Sequence, residues 1–345
     1  NMALVLSGNF DAQAVKPMIR EKFGRLKSKA LPKRTLYAEK PFNGREFLED
    51  TLSPIHIGLL GFRTVPSGHP DELPLEICDR ILSNSNETGL FDRLALNGEL
   101  LAATSIFIPL QDHGQTIFLF YPNTPEQTLQ EAEQLVMAEI DKLTRGEFED
   151  WMLDAIKNEL YVGHQMSLES PEDKALYIAE YYAEGRDLKD LMSYSDRIRN
   201  VTKEQVLAVA RKYYGDNHLA FYSKTGSPEQ EKIDKPGYDP VISNTSAKSP
   251  FREHFDRIKA LEAKIDYVDF DKDVQYGMLQ DKVALYTTQN PVNDIFTLTV
   301  FFGVGEYRMP MLEYATQIMN YSGAKDQGVA DFKNEFSKIC LLYTS

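Results

Sequence analysis

The chain has 345 residues, 42% of them hydrophobic and 11% aromatic, enough apolar side chains for packed cores and too many for a disordered chain. A net charge of −14 and an isoelectric point near 5.0 disfavour nucleic acid and anionic lipid as partners, because both need a positive counter-surface. No apolar run approaches the ~18 residues that span a bilayer. The two cysteines, Cys78 and Cys340, are too few for a disulfide framework or a structural zinc cluster, and read as small buried hydrophobes.

The chain opens at once on a compact apolar run, Ala3 to Phe10, which suits a buried strand in a piece cut from a larger protein. Asp11 is placed to cap a helix over Ala12 to Phe23, with Val15, Met18, Ile19 and Phe23 on one face and Gly24 as its stop. Lys27 to Pro41 is basic, contains prolines and reads as a loop. Ser53 to Arg63 shows no clean alternation and predicts a strand buried on both faces. A helix follows from Glu72 to Ser83 with Leu75, Cys78, Ile81 and Leu82 inward, then a shorter one from Gly89 to Asn97.

Ala102 to Pro109 and Thr116 to Tyr121 predict two strands joined by the polar turn Gln111 to Gln115. Thr124, followed by Pro125, predicts the start of a helix to Leu143. Further helices are expected over Glu147 to Ser167, Pro171 to Glu184, Leu188 to Arg199 and Lys203 to Tyr213, the last capped by Thr202 with Gln205 at its third position. His218 to Ser223 reads as a closing strand.

Lys224 to Pro250 is rich in Ser, Lys, Pro, Gly and Asp without periodicity and reads as a linker. Phe251 to Lys264 can hold a short helix. Beyond Asp266, strands are predicted at Val274 to Leu279, Val283 to Gln289 and Ile295 to Val304. Helices are predicted at Met311 to Met319 and Val329 to Phe336, and a last strand begins at Ile339 to Tyr343. The fold class is α+β, in two-layer domains of antiparallel sheet packed with helices.

Three stretches then resemble one family. Met2 to Leu26 contains Gly8-Asn9-Phe10 before a helix ending in Phe23-Gly24-Arg25-Leu26. Ile57 to Ala103 contains Gly89-Leu90-Phe91-Asp92-Arg93-Leu94 and Gly98-Glu99-Leu100-Leu101-Ala102. Asp266 to Ala324 runs through hairpin, strand, Gly303-Val304-Gly305 turn and helix. In this order they resemble the zinc metallopeptidases typified by pitrilysin, insulinase and mitochondrial processing peptidase. That resemblance implies pairs of homologous α+β domains, arranged as two half-shells around a chamber. It implies that residues 1–223 are the second, non-metal domain of the first half, residues 224–265 the linker between halves, and residues 266–345 the start of the second half. The metal domain, with its H-x-x-E-H helix and a further glutamate, would lie upstream in the same protein.

Such a site needs two imidazoles one helical turn apart, with a carboxylate between them to polarise the bound water. The resemblance aligns Tyr314, Gln317 and Ile318 with those positions. Tyrosine and glutamine are poor zinc ligands and isoleucine is none. Among the six histidines, His56, His69, His113, His164, His218 and His254, no two share a helical turn. His69 with Glu72 comes nearest, but Leu73 stands where the second imidazole belongs. His164 has Glu159 and Glu169 near it, at neither helical spacing, and reads as part of an exposed polar face. Glu147, Glu149 and Asp150 read as a solvated acidic face.

No catalytic residue and no metal ligand is therefore assigned to this chain, and zinc is expected in the parent protein instead. The expected function is the non-catalytic wall of a peptide-cleaving chamber, with peptide substrate and the upstream metal domain as partners. The alternatives are an inactive scaffold or binding subunit of the same fold, and an unrelated α+β binding protein. An acidic, cysteine-poor chain fits cytoplasm and periplasm equally.

Overall fold

The computed structural model describes residues 2–30, 32–33, 35–226, 235, 237, 239–259, 267–305 and 307–339. Cys340 and the last predicted strand from residue 340 on lie outside them. The chain divides into two compact units, Asn1–Pro228 together with Ile295–Ser345, and Glu229–Asp294.

In the first unit, α1 is Ala12–Phe23, β1 Arg45–Ser53, β2 Ile57–Thr64, α2 Glu72–Leu82, α3 Leu90–Leu96, β3 Leu100–Pro109 and β4 Gly114–Pro122. There follow α4 Leu129–Arg145, α5 Asp150–Ser167, α6 Pro171–Ala183, α7 Leu188–Met192, α8 Tyr194–Asn200, α9 Lys203–Tyr213 and β5 His218–Thr225. The five strands form one sheet in the order β1-β5-β2-β4-β3. All neighbours are antiparallel except β1, which runs parallel to β5. The architecture is the expected α+β, two-layer arrangement, with a mixed rather than wholly antiparallel sheet.

The core lies between the helices and one face of this sheet. Leu60 and Phe62 of β2, Phe118 and Phe120 of β4, and Ala220 and Tyr222 of β5 point into it. They meet Leu75, Cys78, Ile81 and Leu82 of α2, Val136 and Ile140 of α4, and Val206 and Ala210 of α9. Phe118 is the hub, its ring 5.3 Å from each of Phe62, Phe91 and Tyr214. The opposite face carries Leu59, Gly61, Ile117, Leu119, Leu219 and Phe221, all of intermediate exposure. β2 is thus buried on one face and half-covered on the other, not buried on both as its unbroken apolar run suggests.

Backbone chemistry explains most boundaries. Asp11 Oδ1 accepts the Gln13 amide at 2.8 Å and starts α1 where the sequence predicts. Thr202 accepts the Gln205 amide and receives the Gln205 side chain on its own amide, closing a capping box at α9. The α4 start moves from Thr124 to Thr128, because Glu131 returns to the Thr128 amide at 2.8 Å and completes a box there. Gly146 ends α4 at φ 79°, where a Cβ would also lie 3.2 Å from Leu207. Gly58 clears the Phe120 ring, which would stand 2.1 Å from an added Cβ.

Other expectations fail for physical reasons. Residues 3–10 form no strand; Leu4, Leu6 and Phe10 are exposed, and no neighbouring strand is present among the described residues to pair with them. The helix predicted from Glu147 begins at Asp150, and the one over Leu188 to Arg199 breaks at Ser193 into α7 and α8. β1 escapes the sequence reading, being a charged edge strand whose alternation is weak.

In the second unit, α10 is Pro250–Asp256, α11 Phe270–Asp273, β6 Gln275–Gln280 and β7 Val283–Thr287, the last two forming a hairpin. Returning to the first unit, α12 is Leu312–Met319 and α13 Val329–Lys338. The predicted strand at Ile295 to Val304 is irregular, with Phe296, Leu298 and Phe301 exposed. α13 lies against the loop before α3, where Ser337 and Thr88 hydroxyls meet at 3.2 Å.

Truncating the hub should empty a fully buried aromatic volume. Phe118→Ala is expected to lower unfolding free energy by roughly 3–5 kcal/mol, read from chemical denaturation. A loss below about 1 kcal/mol would show that this ring does not organise the core.

Candidate functional site

The positions aligned with the zinc motif lie on α12, which buries none of its residues. Tyr314 and Ile318 are more than half exposed, and Gln317 is exposed as well. This donor set of a phenol, an amide and a hydrocarbon does not fit zinc. His69 accepts the Asp71 amide on Nδ1 at 3.0 Å. Glu72 turns elsewhere, accepting the Gly68 amide at 2.8 Å and facing Arg186 at 3.2 Å. Among the described residues, no group of three or more His, Cys, Asp or Glu side chains is placed to hold a metal. Cys78 is fully buried and its thiol is pushed far above the ordinary range by desolvation, so it is chemically quiet.

The suspected acidic face is solvated and paired. Glu147 meets Arg145 at 2.7 Å, Glu149 meets Arg93 at 3.0 Å and Asp150 meets Lys203 at 2.6 Å. Exposed pairs of this kind contribute little to stability and offer no catalytic dyad.

A different cluster stands out. α2 buries its apolar side in the core and turns Glu72, Glu76, Asp79 and Arg80 toward α5, α6 and α8. Those helices answer with Glu159 and His164, with Tyr177 and Tyr181, and with Tyr194 and Arg197. The result is a cavity of about 250 Å³ that continues, through Glu76, Arg80, Tyr177 and Tyr194, into a groove of about 500 Å³ along α5. The arginines are engaged. Arg186 lies 3.2 Å from Glu72 and 3.6 Å from Glu184, stacked 4.1 Å above the Tyr181 ring. Arg80 reaches Glu159 at 3.5 Å and Arg197 reaches Asp190 at 3.9 Å.

Among the described residues Glu76 makes no ion pair. Tyr194 donates its hydroxyl to the two carboxylate oxygens at 3.4 and 3.2 Å. Burial pushes the Glu76 carboxyl up to about 7, against the opposing pull of Arg80 and the Tyr194 hydroxyl. Asp79 is likewise pushed up by burial, to about 6, although the Ser105 hydroxyl, Arg80 and the Phe107 amide oppose the shift.

His164 is buried, with 8% exposure, rather than part of an exposed polar face. Its ring sits 4.8 Å from Tyr194 and 5.8 Å from Tyr177, and burial lowers its pKa. Neither Tyr177 nor Tyr194 is singled out by sequence spacing. The usable signal is the i, i+3, i+4 set Glu76, Asp79 and Arg80, which puts charges on the flank of an otherwise apolar helix.

Comparison with known proteins gives the frame. Residues 1–160 match the family described as the Peptidase M16 inactive domain. The chain is 25% identical over 226 residues to the zinc protease PqqE of Helicobacter pylori, covering 63% of this chain and 49% of that protein. The chain thus spans about half the length of this curated relative. A protease from Helicobacter pylori superposes with a TM-score of 0.56 at 21% identity, over 63% of this chain and 54% of the other. The peptidase M16 inactive domain from Pseudomonas fluorescens superposes with a TM-score of 0.52 at 18% identity, over 64% and 52%. No described helix is long and apolar enough to cross a membrane.

The buried carboxyls make stability depend on pH in a defined direction. A folded-state pKa raised above the unfolded one means that the native state holds its proton more tightly. The Glu76 contribution is therefore complete below the ordinary carboxylate pKa and is lost as pH rises through about 7, with Asp79 acting in the same sense around 6. Glu133, held low by Arg45 and the Tyr222 hydroxyl despite its burial, stays ionised across this window and adds no slope. Unfolding free energy should fall between pH 5 and pH 8, by up to about 3 kcal/mol from Glu76 alone. Glu76→Gln should remove the Glu76 share of that slope, leaving the shares of Asp79 and Asp92 below about pH 6, and stabilise the protein at pH 8. An unchanged slope in the variant would remove Glu76 as its source.

Proposed function

We propose, from a chain whose residues 1–160 match the Peptidase M16 inactive domain, that it forms part of the wall of a peptide-cleaving chamber. The zinc and its water-activating glutamate belong to another portion of the parent protein. Residues 1–223 serve as the second domain of the first half, residues 224–265 as the linker, and residues 266–345 as the start of the second half with a degenerate metal motif at Tyr314, Gln317 and Ile318.

The inactive-domain match is the observation that carries this reading. The zinc-protease relative supports zinc chemistry in the parent. An extended peptide finds a natural seat at an edge of the sheet. Among the described residues β3 is an edge strand that pairs with β4 only, and an edge strand can accept an added strand on its outer side. The wall then contributes binding and orientation, while bond cleavage happens at the zinc domain opposite.

The inactive-domain match suits a second reading equally well: a scaffold or binding subunit whose parent has no active copy. An H-x-x-E-H helix elsewhere in the parent separates the two.

The chain by itself should not hydrolyse peptides. Incubated with excess zinc and a fluorogenic peptide mixture, it should give no turnover that a chelator abolishes. Chelator-sensitive cleavage by the purified chain, surviving repeated chromatography, would overturn the assignment. Joined to the rest of an active parent, the same peptides should be cut, and chelation should stop the reaction.

A further inference from the structure

We propose that the cavity between α2, α6 and α8, with its continuation along α5, receives a lysine or arginine side chain presented by a peptide, with the Glu76 carboxylate as counter-charge. The inference deepens the chamber-wall reading, and rests on it for the choice of a peptide as carrier.

Four observations converge. Among the described residues Glu76 makes no ion pair; it accepts the Tyr194 hydroxyl at 3.2 and 3.4 Å and feels Arg80 only at longer range, while Arg80, Arg186 and Arg197 are each paired with another carboxylate. A partly desolvated carboxylate of this kind is costly to ionise alone and favourable beside a cation. Second, the walls are aromatic. Tyr177 and Tyr194 line both the cavity and its continuation, and the neighbouring Tyr181 already carries a guanidinium, Arg186, 4.1 Å above its ring. Tyrosine faces attract ammonium and guanidinium groups through the ring quadrupole.

Third, His164 lines the continuation at only 8% exposure, and its Nδ1 has no hydrogen-bond partner among the described residues. Buried polar atoms are ordinarily hydrogen-bonded, and this one is left unsatisfied beside the rings of Tyr177 and Tyr194. Fourth, the cavity, at about 250 Å³, has room for a long side chain. An anionic side chain would meet Glu76 and Asp79 and be repelled. The net charge of −14 draws cationic peptides toward the surface and disfavours acidic ones.

The test is binding of capped, dye-labelled Ala-Ala-Lys-Ala-Ala to the 345-residue chain by fluorescence anisotropy at pH 8 and low salt, beside three controls. In the first, glutamate replaces the lysine; in the second, the lysine is acetylated; the third is unlabelled spermidine as competitor. The lysine peptide should bind at least ten-fold more tightly than the glutamate and acetyl-lysine peptides. Glu76→Gln should erase that preference, and Tyr194→Phe should weaken it.

Equal binding of the three peptides, no binding of any, or an unaltered preference in a folded Glu76→Gln variant would overturn the proposal. Spermidine competing at the same concentration as the lysine peptide would overturn the peptide as the carrier. If Glu76→Gln fails to fold, the lysine against acetyl-lysine comparison on the unmodified chain still decides. Cleavage plays no part in this readout, so a failure here is distinct from a failure of the chamber-wall reading.

Discussion

Phe118, at zero exposure, touches three other rings that come from three different elements. Phe62 lies on the neighbouring strand, Phe91 on the helix that precedes β3, and Tyr214 at the end of α9. The contacts with Phe91 and Tyr214 are edge-to-face and the one with Phe62 is tilted, and such contacts are directional, so they set angles as well as burying area. They hold the helical layer on one face of the sheet and, with Cys78, Ile81 and Leu82 drawn into the same core, fix the rotation of α2 about its own axis. Once that rotation is set, Glu76 and Asp79 have one direction left to face. The acidic cavity is thus a by-product of how the aromatic core is seated.

The charge arrangement in that cavity follows a consistent logic. Each arginine near it is already committed to a carboxylate, and the strongest commitment, Arg186 between Glu72 and Glu184 over Tyr181, is partly buried. Removing one member of such a group leaves the others uncompensated in a poorly solvated place. Among the described residues Glu76 is the member without an ion pair, and burial raises its pKa against the pull of Arg80. Elsewhere the protein does the opposite. Arg45 grips Glu133 through two bonds of 2.9 and 2.8 Å, with the Tyr222 hydroxyl added at 2.5 Å, tying the edge strand to α4 and β5.

What the sequence discloses depends on how local the cause is. The α9 capping box is written in Thr202 and Gln205, three residues apart, and α2 in the spacing of Leu75, Cys78, Ile81 and Leu82; both are readable. The family resemblance is readable too, because its motifs are short and ordered, and the inactive-domain match covers two of them. Residues 3–10 have the composition of a strand but no partner in the described structure, and composition cannot supply one. The cavity was invisible for a related reason. Tyr194 and Glu76 are 118 residues apart, and nothing in either neighbourhood signals the other.

The parallel pairing of β1 with β5 has a consequence for how the molecule comes into being. Arg45 sits beside His218, and the bond from the Gly44 amide to Asn217 spans 173 residues. Closing a loop of that length costs about 4–5 kcal/mol in chain entropy before any contact repays it. On the ribosome β1 emerges long before β5, the strand it pairs with among the described residues, carrying Phe47, Leu48 and Leu52 on a strand without a sheet. It is the natural last piece to assemble and the first to peel away, and during synthesis it is the segment most in need of a chaperone.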